Sequence, residues 1–104
     1  MTKVKGVPQH VADKLNLPEL PKGYYFKFDK DKSYSMSLRE YRRKVHVCKR
    51  NWFNYPTYIS TRALPNLAAL SYERVVAEYE LAAAYVFDAA QEFFIIEKLW
   101  SKDA

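Results

Sequence analysis

Apolar residues recur at helical spacing over residues 72–100, a stretch that contains neither Gly nor Pro. Such a helix of about 29 residues spans about 43 Å, which is longer than the compact body of a chain this size. Its end therefore protrudes, bends or meets a partner. Ten of its apolar side chains share one broad face, which we expect to form core: Tyr72, Val75, Val76, Tyr79, Ala83, Val86, Phe87, Ala90, Phe93 and Phe94.

A second and weaker apolar stripe lies nearly opposite on the same helix. It consists of Leu81, Tyr85, Ala89, Ile96 and Leu99. Acidic residues interrupt it, so a continuous apolar seam is not available. Two covers fit the pattern, namely the chain's own N-terminal segment and a second copy of the protein. We predict a homodimer, with the N-terminal segment as the alternative cover; the self-association residues are Leu81, Tyr85, Ile96 and Leu99.

The N-terminal segment begins with a short predicted helix over residues 8–15. Pro8 suits a first helical turn, where its missing N–H is not needed, and apolar residues follow at helical spacing. Pro18 and Pro21 then force an extended stretch. We expect its two leucines to lie against the core, so that this segment acts as a clasp.

Alternation with a period of two predicts three strands, near residues 24–28, 34–38 and 44–50. Polar turns at 29–32 and 41–43 join them, which predicts an antiparallel meander.

The region that follows the meander is rich in aromatic residues. We predict a loop with a short strand at 58–61. The long helix then begins either at Asn66 or, after a separate turn, at Ser71, because both residue types cap helices.

This register divides the side chains of the meander into two faces. The face predicted to pack on the long helix holds Tyr24, Phe26, Phe28, Tyr34, Met36, Leu38, Val45 and Val47. The outer face holds Tyr25, Lys27, Ser35, Ser37, Arg39, Lys44, His46 and Arg50, without a carboxylate. The register and the helix phase together predict that Phe26, Met36, Val86 and Phe93 share one core.

These elements predict a single α+β domain over residues 1–104. Residues 1–21 form the short helix and the clasp, 22–62 the basic meander and aromatic loop, and 63–104 the long helix packed on the sheet. A chain with 49% hydrophobic residues can bury one core of its own. The longest apolar run, 81–87, is too short for a membrane span, and the N-terminus has no apolar signal region. A lone cysteine suits a reducing compartment, so we expect a soluble cytoplasmic protein without a membrane partner.

Charge is distributed unevenly along the chain, whose net charge is +5. Residues 22–62 contain eleven Lys and Arg against three acids, while residues 63–104 contain three against seven. The middle of the chain therefore favours a polyanionic partner.

The residues give little support to metal binding or catalysis. His46 and Cys48 point the same way on a predicted strand, but no second His or Cys pair completes a four-ligand zinc site. The chain has no Gly-rich phosphate loop, and no acid or Ser motif accompanies either histidine. We expect no metal, no cofactor and no enzymatic activity.

The sequence therefore predicts a small nucleic-acid-binding protein that contacts phosphates through the outer face of its sheet. The expected contact residues are Lys27, Arg39, Arg42, Arg43, Lys44, His46 and Arg50. The aromatic residues Trp52, Phe53, Tyr55 and Tyr58 either belong to the core or stack on unpaired bases.

The order helix, three strands, helix is similar to that of double-stranded-RNA-binding domains in topology only. The start of the last helix offers only Arg62 and Arg74, where those domains carry lysines, so DNA is favoured over RNA. The alternative function is a protein-interaction module, inhibitor or adaptor. It would bind an acidic partner protein or dock through the long helix.

Overall fold

A computed structural model describes the backbone of residues 4–51 and 55–103 and the side chains of residues 4–51 and 55–95. Its elements are α1 (Gln9–Ala12), β1 (Tyr24–Phe28), β2 (Ser33–Ser35), β3 (Glu40–Arg42), β4 (Lys44–Arg50), β5 (Pro56–Ala63), a 3-10 turn (Leu67–Ala69) and α2 (Tyr72–Asp103). The predicted α+β class is confirmed, with a short first helix and a long last one. The predicted roles of Trp52, Phe53, Ile96 and Leu99 fall on side chains outside the described residues.

The main sheet has three antiparallel strands in the order β1-β4-β5. A three-stranded antiparallel sheet is present as predicted, but the predicted set of strands is wrong, because β2 does not join this sheet and β5 does. β4 takes the central position, and β5 is a full strand of eight residues where a loop with a short strand was predicted. Thr, Tyr and Ile in β5 favour extended backbone, and pairing with β4 completes the strand.

The strands β2 and β3 form a separate two-stranded hairpin, in which Tyr34 pairs with Tyr41. The predicted turn at 41–43 is therefore wrong, because β3 occupies most of it. The predicted orientation of β2 is also inverted: Ser35 is 6% exposed, whereas Met36 is 82% exposed and Leu38 50%. The predicted strand at 34–38 is also too long, because β2 ends at Ser35 and residues 36–39 form the turn of the hairpin. A hairpin that pairs only with itself does not reveal from sequence which side faces the protein.

The core lies between the inner face of the main sheet and α2. Val45, Val47, Val86 and two helix alanines, Ala83 and Ala90, have no exposed surface. The small alanine side chains allow the helix to approach the sheet closely.

Aromatic contacts extend this core. Phe28 meets Tyr79 edge to face, with ring centroids 5.0 Å apart. Phe26 and Val86 share the core as predicted. Met36 and Phe93 do not: Met36 belongs to the separate hairpin, and Phe93 is 37% exposed on the helix flank.

The first described residues extend the sheet along the free edge of β1. Lys5 forms a parallel bridge with Lys27, and the Phe28 amide donates to the Lys5 carbonyl at 2.9 Å. Gly6 allows this close approach, because its φ is 86° and a Cβ there would lie 1.5 Å from the Phe28 carbonyl oxygen.

The rest of the N-terminal segment follows α2 from its start. The Tyr72 hydroxyl donates to the His10 carbonyl at 2.9 Å, and the Asn16 amide donates to Glu80 Oε1 at 3.0 Å. The clasp leucines, Leu17 and Leu20, are partly buried against the core as predicted.

The clasp does not cover the second stripe of the helix. Leu81 and Tyr85 remain 58% and 54% exposed with the clasp in place. The prediction that the chain's own N-terminal segment covers this stripe is therefore wrong for Leu81 and Tyr85.

The long helix begins after a separate turn, which decides between its two predicted starts. Asn66 caps the 3-10 turn by accepting from the Ala68 amide, whereas Ser71 Oγ accepts from the Arg74 amide at 3.4 Å and caps α2. The 32 residues of α2 span about 48 Å, close to the longest dimension of the molecule, 50 Å. Among residues 4–51 and 55–103, no helical segment has both the length and the hydrophobicity of a membrane span.

Candidate nucleic-acid interface

The outer face of the main sheet is the side that points away from α2. Alternation along β4 places Lys44, His46, Cys48 and Arg50 there, opposite the buried valines. β1 adds Tyr25 and Lys27 beside Cys48 and His46, and β5 adds Tyr58 and Thr61. Four of the predicted phosphate contacts therefore share this face: Lys27, Lys44, His46 and Arg50.

His46 lies at the centre of this face but is 5% exposed. Its Nε2 lies 3.0 Å from Asp29 Oδ1, and because a carboxylate only accepts, Nε2 is the donor. Its Nδ1 lies 2.8 Å from the Thr61 hydroxyl. Asp29 corrects the expectation of a face without a carboxylate. Since both ring nitrogens are engaged within the protein, His46 organises the face and does not present a free donor to a ligand.

Tyr58 covers His46 and joins two strands. Its ring stacks on the imidazole, and its hydroxyl accepts from Lys27 Nζ at 2.9 Å. This hydrogen bond raises the pKa of Lys27, so the lysine is a fixed positive charge at neutral pH. Tyr58 is 51% exposed, so of its two predicted roles the position in the core is wrong.

Cys48 is fully buried next to His46. Burial raises the pKa of its thiol to about 11. The thiol is therefore protonated at neutral pH, whereas nucleophilic attack and metal ligation need the thiolate. Among the side chains that the structure describes, no three His, Cys, Asp or Glu cluster as a metal site would require.

Three cations on or beside this face are available to a ligand. Within the described part of the chain, no ion pair joins Lys5, Lys44 or Arg50 to a carboxylate. Lys44 is half-buried, whereas Lys5 and Arg50 are exposed. Lys44 and Arg50 stand at opposite ends of β4, about 20 Å apart at the rise of an extended strand.

An open cleft of about 620 Å³ lies at the Arg50 end of the face. Its lining is Val4, Lys5, Gln9, Tyr25, Phe26, Arg50, Tyr55 and Pro56. Sequence reasoning missed Lys5, because only the bridge to the edge of β1 brings it here. The cleft combines two cations with apolar and phenolic surface.

The three predicted arginines of the 39–43 region lie away from the outer face, in the hairpin and its link to β4. Arg42 pairs with Glu40, and its Nη1 also lies 3.5 Å from the Leu64 carbonyl oxygen. Arg39 sits in the turn with a φ of 55°, and Arg43 is exposed. The sequence-derived site thus divides into a sheet group and a hairpin group.

Comparison of this chain with protein-family models, curated proteins and solved structures finds no match.

Proposed function

We propose that this protein binds nucleic acid, without catalysis, through the outer face of its main sheet. One observation carries the proposal: Lys5, Lys44 and Arg50 lie on or beside this face without an ion-pair partner among the described residues. The Asp29 carboxylate adjoins the face and is in contact with His46. Lys5, Lys27, Lys44 and Arg50 outnumber this carboxylate, so the face has an excess of positive charge for an external anion.

Phosphates are the anions that this spacing fits. Lys and Arg that neutralise phosphates release condensed counterions, which drives binding at low salt. The separation of Lys44 and Arg50 along β4, about 20 Å, matches about six base pairs of duplex DNA at about 3.4 Å each. Lys27, held by Tyr58, supplies a further charge between them.

DNA is proposed over duplex RNA because the cations near the start of α2 are engaged. The Arg62 guanidinium stacks 4.3 Å from the Tyr85 ring centroid, and Arg74 pairs with Glu78 at 2.6 Å. Neither presents a free charge like the lysines of double-stranded-RNA-binding domains. The proposal places the protein in the cytoplasm, where its free thiol, Cys48, stays reduced.

Fluorescence anisotropy with labelled duplex DNA, duplex RNA and single-stranded DNA tests the proposal. Between about 50 and 200 mM salt, affinity for DNA should fall steeply. Lys44→Ala and Arg50→Ala should each weaken binding to all DNA sequences alike and lower the salt slope by about one unit. Lys14→Ala is the matched control, because Lys14 is exposed after α1, and it should leave the slope unchanged.

Two results would overturn the proposal. One is absent or salt-insensitive binding by the unmodified protein. The other is an equal loss of affinity and slope in the Lys14→Ala control, since this would indicate a response to net charge and not to the outer face.

A further inference from the structure

The β2–β3 hairpin presents its apolar side to solvent. Its exposed fractions are 47% for Tyr34, 82% for Met36, 50% for Leu38 and 64% for Tyr41. Ser35 lies on the buried side instead. Clustered exposed apolar side chains are uncommon on proteins that act alone and mark interaction sites. We call these four residues the apolar hairpin surface.

Local contacts hold this hairpin in a defined shape. The rings of Tyr34 and Tyr41 meet at 5.3 Å, and the hydroxyls of Ser35 and Ser37 lie 3.2 Å apart. The Arg39 amide donates to the Ser35 carbonyl at 2.7 Å and closes the turn. The apolar side chains are therefore displayed by an ordered turn.

The chain segment that carries the apolar hairpin surface is rich in cations. Over residues 30–43, five Lys and Arg oppose two acids, and one of those acids, Glu40, is paired with Arg42. A surface that combines apolar side chains with net positive charge complements one that combines apolar side chains with carboxylates.

The exposed side of α2 has that complementary character. Leu81, Tyr85, Asp88, Glu92 and Ile95 recur at spacings of four and three residues and so form one stripe, the outer helix stripe. Leu81, Tyr85 and Ile95 are 58%, 54% and 58% exposed, and both acids are exposed between Tyr85 and Ile95. The Arg62 guanidinium lies 4.3 Å from the Tyr85 ring centroid, so the acidic character of the stripe is confined to Asp88 and Glu92. The stripe extends about 21 Å along the helix, a length that a hairpin can cover.

Pairing this stripe with itself is disfavoured by charge. Two helices packed through their outer stripes would bring Asp88 and Glu92 of both copies together, and like charges in contact destabilise an interface. The basic hairpin of a second copy meets the same stripe with opposite charge. The hairpin of the same protomer does not cover the stripe, since both surfaces are exposed within one protomer.

We propose that this chain forms a two-fold dimer in which the apolar hairpin surface of each protomer docks on the outer helix stripe of the other. Two-fold symmetry makes the contact reciprocal, so both exposed surfaces are covered in one closed assembly. The proposal uses neither Lys44 nor Arg50, and it can fail independently of the proposed nucleic-acid binding.

Charge-reversal variants test the dimer. They are compared by sedimentation velocity over about 1 to 100 µM, the range of weak to moderate association. Lys32→Glu/Arg43→Glu reverses the hairpin, and Asp88→Lys/Glu92→Lys reverses the stripe. Each variant alone should be monomeric, because like charges then meet. The variant with all four changes should regain the dimer. Lys14→Glu/Lys22→Glu, with the same change in net charge as the hairpin variant, should remain dimeric.

Met36→Asp tests the apolar part of the contact. Because Met36 is 82% exposed, the substitution removes no core contact, and it should weaken dimerisation at least about tenfold, a change of about 1.4 kcal/mol. The proposal is overturned if the unmodified protein is monomeric throughout. It is equally overturned if the hairpin-reversed variant stays dimeric, which would indicate helix-to-helix pairing, or if the fourfold variant is folded but monomeric.

Discussion

The ring of Tyr58 lies almost parallel to that of His46, with centroids 4.5 Å apart and an interplanar angle of 12°. Tyr58 stands on β5 and His46 on β4, and the Tyr58 hydroxyl also accepts from Lys27 on β1. One side chain thus covers the polar centre of the outer face and ties all three strands together. Asp29 completes this centre through its contact with His46.

The two functions of Tyr58 can be separated by substitution. Tyr58→Phe keeps the stacked ring but loses the hydrogen bond to Lys27, and should lower the free energy of unfolding by about 0.5–1 kcal/mol. Tyr58→Ala also uncovers His46 and should cost about 1–3 kcal/mol. Urea unfolding at pH 7 measures both. Equal losses in the two variants would contradict a contribution from stacking.

Cys48 makes the free energy of unfolding depend on pH in the alkaline range. Its thiol has a pKa of about 11 in the folded protein against 9.0 when unperturbed. Below about pH 9 both states are protonated and its contribution to stability is constant, but between about pH 9 and 11 the unfolded state loses the proton first. The unfolding free energy should therefore fall across this window.

Urea midpoints measured from about pH 8 to 11 isolate this contribution when the unmodified protein is compared with Cys48→Ala. The variant shares every other titrating group, so the difference between the two curves reports Cys48 alone. That difference should shrink or change sign as pH rises. A constant difference would mean that the thiol titrates alike in both states.

Two phenylalanines provide a matched test of the core. Phe28 is 1% exposed, so Phe28→Ala should cost about 3–5 kcal/mol through lost burial and the cavity that remains. Phe93 is 37% exposed, so Phe93→Ala should lower the free energy of unfolding by only about 1–2 kcal/mol. Denaturant unfolding of both variants ranks them, and a larger loss for Phe93→Ala would contradict the observed helix orientation.

Two glycines with similar φ angles provide a second matched pair. Gly23 has a φ of 90° and no heavy atom within 4 Å of an added Cβ, so Gly23→Ala should cost about 1–2 kcal/mol through backbone strain. Gly6→Ala places its Cβ against the Phe28 carbonyl and should cost at least about 3 kcal/mol.

Detachment of the N-terminal edge is the expected structural result of Gly6→Ala. Hydrogen exchange at the Phe28 amide checks this, because that amide donates to Lys5. Exchange that remains as slow as in the unmodified protein would show that the edge tolerates the side chain.

Much of the architecture followed from local pattern. Alternation located β1 and β4, and helical spacing located α2, because each pattern repeats along one continuous element. Charge counting along the chain indicated a basic middle segment. The alternation of side chains along these two strands also predicted that Lys27, Lys44 and Arg50 lie on the outer face.

Strand pairing and the direction of the hairpin needed the tertiary structure. The alternating sequence pattern separates Ser35 from Met36 but does not say which of them faces the protein. Packing against segments distant in sequence makes that choice. Lys5 reached the outer face for the same reason, through a bridge to Lys27.

Local patterns in the amino-acid sequence were enough to predict the α+β class, the long helix, the inner valines of β4 and the sign of the charge on the middle segment. The tertiary structure decided that β5 completes the sheet, that Tyr58 and Asp29 enclose His46, and that Met36 faces solvent. Local periodicity comes from the geometry of one element, and one chain segment is enough to express it. Burial and pairing are decided by contacts between segments far apart in sequence, because the same alternating strand can turn either face toward the core.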